Sequence, residues 1–116
     1  MKKTNIDVYV DCARAVTKYF ASKGLKKFNA KQAHDVVIEF GGVNLSQVYK
    51  GHYPDSPIHI GLHILHKDRK DKRMGLLFDD QYYYIPDYYN ENDYDLDDLK
   101  DKINAMLTVS RVFDRK

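Results

Sequence analysis

Two adjacent glycines divide the first half of this chain and limit what it can become. In Phe40-Gly41-Gly42-Val43-Asn44-Leu45-Ser46-Gln47-Val48-Tyr49-Lys50-Gly51 they separate two segments that both read as short amphipathic helices. A glycine adopts the left-handed conformation that ends one helix, Asn44 can cap the next, and Val43 and Val48 return to the buried side. The expected result is a helix-turn-helix with Asn44, Ser46, Gln47 and Lys50 facing outward. Amide side chains of that kind pair with base edges, while hydroxyls and lysines reach phosphates. A tight turn between two core helices would use the same residues.

The flanking segments carry their own punctuation. Residues 5–23 form a first helix, with Ile6, Val10, Ala13, Val16 and Phe20 at three- and four-residue steps, Thr4 or Asn5 as cap and Gly24 as stop. Arg14, Lys18, Lys23, Lys26 and Lys27 make the rest of this region basic. Residues 30–40 form a second helix, opened by a capping box of Asn29 and Gln32 and by a Phe28–Ala33 staple. A third, about 45–51, is closed by Gly51 and Pro54. After Pro57 the alternation Ile58, Ile60, Leu62, Ile64 predicts a strand, and Met74-Gly75-Leu76-Leu77-Phe78 a second. A short third strand is expected at Gln81–Ile85, and a last helix begins near Asp95 with Leu96, Leu99, Ile103, Met106 and Leu107 as its apolar stripe.

At 116 residues the chain suits a single domain. The expected class is α+β: three N-terminal helices, a β-hairpin or small antiparallel sheet, and a C-terminal helix. The helix-turn-helix part spans 5–52, the hairpin 57–86 and the last helix 95–113. One cysteine, Cys12, excludes an internal disulfide and suits a reducing, cytoplasmic setting. Neither a signal peptide nor a membrane-spanning run is expected. Net charge is only +2, yet residues 1–73 hold 14 basic and 7 acidic groups and residues 74–116 hold 5 and 10. Such a split suggests opposite faces, one meeting a polyanion and the other imitating it.

Between the first two predicted strands, five of the seven residues from Lys67 to Arg73 are basic: Lys67, Arg69, Lys70, Lys72 and Arg73. Helices followed by a hairpin with a basic tip resemble the winged helix-turn-helix family of DNA-binding domains, over roughly residues 5–85. The resemblance implies that Asn44, Ser46, Gln47 and Lys50 enter the major groove of duplex DNA and that the basic tip is the wing on phosphates or the minor groove. The short recognition helix has no arginine, and Asp68 and Asp71 dilute the wing.

His52, His59, His63 and His66 fall within fifteen residues. On a strand His59 and His63 would lie about 13 Å apart, at roughly 3.3 Å per residue, too far for one metal ion. On a helix, His59, His63 and His66 would share a side. The alternation favours the strand, so neither metal nor cofactor is expected. Cys12 reads as a buried thiol, and no nucleophile elbow or phosphate loop occurs, so catalysis is not expected.

Six of the ten tyrosines lie between Tyr82 and Tyr94 among acidic residues. Tyr82, Tyr84, Tyr88, Tyr89, Asp93, Tyr94, Asp95 and Asp97 could bind a basic, nucleic-acid-processing protein by imitating a polyanion. Two functions follow. One is a non-enzymatic DNA-binding regulator or accessory protein that dimerises through its last helix. The other is an inhibitor of a nucleic-acid enzyme, of the antidefence kind that phages and mobile elements carry.

Overall fold

A computed structural model describes residues 4–42, 57–66, 82–86, 89 and 94–110. They form four helices and a two-stranded antiparallel sheet: α1 (Asn5–Ser22), β1 (Lys27–Asn29), α2 (Ala30–Gly41), α3 (Pro57–Leu65), β2 (Tyr82–Tyr84) and α4 (Leu96–Ser110). The mixed α+β class matches expectation. The described part is mostly helical, and the helix that follows α2 among these residues is α3.

Helix α1 starts at a capping box in which the Thr4 hydroxyl accepts the Asp7 N–H at 3.1 Å and the Asp7 carboxylate accepts the Thr4 N–H. It packs against both α3 and α4, burying Cys12, Ala13, Ala15, Val16, Thr17 and Phe20. Ile6 remains 44% exposed, so the inner face begins about a turn later than its apolar spacing implies. Helix α2 has the expected Asn29–Gln32 box and ends where Gly42 takes a positive φ of 64°.

Residues 57–65 are helical, which corrects the strand expected from their alternation and removes the first strand of the hairpin. Ile58 and Leu62 are fully buried at helical spacing, while Ile64, apolar in the alternation, is 41% exposed. Gly61 explains its own presence: a Cβ there would stand 2.6 Å from the Tyr9 carbonyl carbon and closer still to its oxygen, so only glycine lets α3 approach α1 this far. Gly61 is a helix-packing notch, not a position in a strand.

The strand at 82–84 forms as expected, but its partner among the described residues is β1, which lies in a stretch read as a connection. Lys27 pairs with Tyr84, Phe28 with Tyr83 and Asn29 with Tyr82. The inward residues are Phe28 and Tyr83. Phe28 stacks on Phe20 at 4.5 Å between centroids, tying the sheet to α1. The α4 stripe of Leu99, Ile103, Met106 and Leu107 is buried in the same core, each such side chain contributing about 1.5–3 kcal/mol. No described helix is long and apolar enough to cross a membrane.

Candidate functional site

The pleat that sends Phe28 and Tyr83 inward puts Lys27, Tyr82 and Tyr84 on the opposite face of the sheet. There the Lys27 ammonium lies 4.3 Å from the Tyr82 ring centroid and 5.8 Å from that of Tyr84. Each contact of this kind contributes about 0.5–1 kcal/mol at an exposed site and holds the three side chains together. Tyr84 keeps 41% of its surface exposed. The Ile85 N–H donates to the Lys26 carbonyl at 2.9 Å, extending the pairing toward the turn that leaves α1.

That turn is strongly basic. From Cys12 to His34 the chain has no carboxylate and six cations, Arg14, Lys18, Lys23, Lys26, Lys27 and Lys31. The two outer cations meet flanking acids: Arg14 pairs with Asp11 at 3.3 Å and Lys31 with Asp35 at 3.7 Å. Between them Lys23, Lys26 and Lys27 are exposed, and none has an ion pair among the described residues. Lys23 lies 5.3 Å from the Tyr19 ring centroid. Tyr82 and Tyr84 thus share the outer face of the sheet with Lys27, and exposed Lys23 and Lys26 lie in the turn that enters it.

The expected acidic, tyrosine-rich surface is divided by the fold. Tyr82 and Tyr84 sit beside lysine. Tyr94 belongs to an aromatic cluster against the core, with its ring 5.5 Å from Tyr19, which in turn lies 5.7 Å from Phe40. Burial, with Tyr19, Asp95 and Glu39 nearby, pushes the Tyr94 phenol up. One Asp95 carboxylate oxygen caps α4, accepting the Asp97 N–H at 2.9 Å and the Asp98 N–H at 3.3 Å. Asp97 and Asp98 occupy the first turn, where the helix dipole favours them. The half-buried Tyr89 closes a turn through its N–H to the Pro86 carbonyl at 3.0 Å. Tyr88 and Asp93 lie outside the described residues, as do Asn44, Ser46, Gln47, Lys50, Lys67, Arg69, Lys70, Lys72 and Arg73.

The histidines follow the helical spacing. His59 and His63 are one turn apart on α3, their rings nearly parallel at 22° with centroids 6.4 Å apart. His66 turns into the core instead of joining them, and its Nε2 lies 2.9 Å from the Thr17 hydroxyl. Thr17 donates its only proton to the Ala13 carbonyl at 2.8 Å, so His66 must donate from Nε2. His34 is also buried, donating from Nδ1 to the Ala30 carbonyl at 2.7 Å. Burial, opposed by that hydrogen bond and reinforced by nearby His59, lowers its pKa to about 4. Among the described residues no three His, Cys, Asp or Glu side chains gather closely enough to hold a metal ion, and His52 lies outside them. Burial, and then neighbouring Asp11, hold the fully buried Cys12 thiol far above its ordinary pKa.

Sequence reasoning missed Lys27 as a site residue because β1 is three residues long, too short for alternation to register. The acid-free basic run was the available signal. No family model, curated protein or solved structure matches this chain.

Proposed function

We propose that the protein is a small, non-enzymatic DNA-binding protein whose contact surface includes the outer face of the β1–β2 sheet and the basic turn that enters it. The observation that carries this reading is Lys27 lying between Tyr82 and Tyr84, next to exposed Lys23 and Lys26 in a stretch without carboxylates. A phosphate chain is the polyanion such a surface fits, since each neutralised phosphate releases condensed counterions. Polar and basic residues of 44–50 and 67–73, which lie outside the described residues, would add further contacts. The sheet surface does not depend on them.

The test is fluorescence anisotropy with a labelled oligonucleotide across a salt series. Replacing Lys23, Lys26 and Lys27 with Gln should weaken binding and flatten the dependence of log affinity on log salt by about 0.7–0.9 per lost phosphate contact. An unchanged affinity and slope would contradict the proposal.

A second reading, an inhibitor that imitates a polyanion, draws on exposed Asp97 and Asp101 on α4. Its aromatic members Tyr82 and Tyr84 adjoin lysine, and its Asp95 carboxylate caps a helix. Stable complex formation with a basic protein, lost on charge reversal at Asp97 and Asp101, would favour it.

A further inference from the structure

Resting on the DNA-binding reading, we propose that this sheet face takes single-stranded DNA, with an unpaired base stacked on Tyr84 and the strand's phosphates following Lys27, Lys26 and Lys23. The side chains on this face decide which part of a nucleic acid it can recognise. Duplex DNA hides the faces of its bases and offers their edges, which are read by arginine, asparagine and glutamine through paired hydrogen bonds. This face is poor in such readers.

Asn29, the sheet's amide, uses its Oδ1 to cap α2 by accepting the Gln32 N–H at 2.9 Å. Gln32 returns the bond through its own Oε1 to the Asn29 N–H at 2.8 Å. Arg14, the one arginine in the basic run, is paired with Asp11. The face offers instead an aromatic ring 41% exposed and point-charge lysines. A tyrosine ring attracts the π-face of any base, but only a base released from pairing can lie on it. Phosphates need cations without a demanding geometry, and lysine supplies them.

The β1–β2 register fixes the arrangement. Tyr84 and Lys27 are direct cross-strand partners, so a base on the ring has its backbone within reach of the ammonium. Lys26 hydrogen-bonds through its carbonyl to the residue following Tyr84. Aromatic and cationic groups are thereby adjacent across a pair of strands, a form suited to binding with little sequence preference.

The experiment compares a labelled fifteen-nucleotide thymidine strand with a hairpin duplex of equal phosphate number at one low salt concentration, using wild type, Tyr84→Ala, Tyr84→Phe and Lys27→Gln. Tyr84 lies outside the core, and circular dichroism with thermal melting checks that each variant folds. The proposal expects the single strand to bind several-fold more tightly than the duplex. Tyr84→Ala should lose about tenfold on the single strand and change duplex binding little, while Tyr84→Phe retains wild-type affinity. Lys27→Gln should weaken both probes. Equal or tighter duplex binding, or a Tyr84→Ala effect the same on both probes, would overturn the single-strand inference and leave the DNA-binding reading intact. Failure of both probes to bind would overturn both readings.

Discussion

Gly61 of α3 lies directly against the backbone carbonyl of Tyr9 in α1, with no room for a β-carbon between them. This contact sets how closely the two helices pack, and with it the depth at which Ile58 and Leu62 meet the core. Gly61→Ala should cost stability although alanine is the better helix former, because the clash is with backbone and not with a side chain that can swing away. Denaturant unfolding should show a loss of about 1–3 kcal/mol. A variant as stable as wild type would mean that the helices are not in this contact.

His34 gives the fold a dependence on acid. Its pKa falls from 6.5 to about 4 in the folded chain, first because it is buried, and nearby His59 adds to the fall while Asp35 and the Ala30 carbonyl oppose it. Between those values the unfolded chain takes up the proton and the folded chain does not. The contribution is therefore full above pH 6.5 and is lost as pH falls toward 4, a change of about 3 kcal/mol. Urea midpoints measured from pH 7 to pH 4 should decline, and His34→Asn, which retains a donor for the Ala30 carbonyl, should flatten that decline.

Thr17 couples α1 to the end of α3 by accepting from His66 while donating to Ala13. Thr17→Val preserves shape and removes both bonds, leaving a buried imidazole N–H without its oxygen. A loss of about 1–3 kcal/mol is expected in chemical denaturation, and Thr17→Ser should recover much of it. Equal losses in the two variants would assign the effect to packing, not to the hydroxyl.

Cys12 should be inert while the protein is folded. It is fully buried, and burial keeps it in the thiol form. Labelling with a chromogenic disulfide reagent should proceed only as fast as the protein opens and become rapid in denaturant. Prompt labelling of the native protein would contradict the placement of α1 between α3 and α4.

Those elements that announce their own ends are legible in the sequence. Thr4 with Asp7, Asn29 with Gln32, and Asp95 ahead of Asp97 and Asp98 mark three helix starts by local chemistry, and Gly42 marks a stop by its positive φ. Over Pro57–Leu65 the signal is ambiguous, since Ile58, Leu62 and Leu65 satisfy a helical period while Ile58, Ile60, Leu62 and Ile64 satisfy an alternating one. Tertiary packing decides it: α1 accepts a helix notched by Gly61 and buries His59 and His66 as readily as the aliphatics. The sheet was half legible. Tyr82–Tyr84 reads as a strand, but pairing with Lys27–Asn29 joins residues far apart in the chain, and no local pattern encodes it. The candidate site was hidden for the same reason, because Tyr84 acquires Lys27 as a neighbour only through that pairing.

The most direct measurement is an amide chemical-shift map of isotopically labelled protein titrated with a thymidine oligonucleotide at low salt. Shifts should concentrate at residues 23–29 and 82–85 and collapse as salt is raised. Shifts confined to residues 95–101, or none anywhere while the spectrum remains that of a folded protein, would contradict the account.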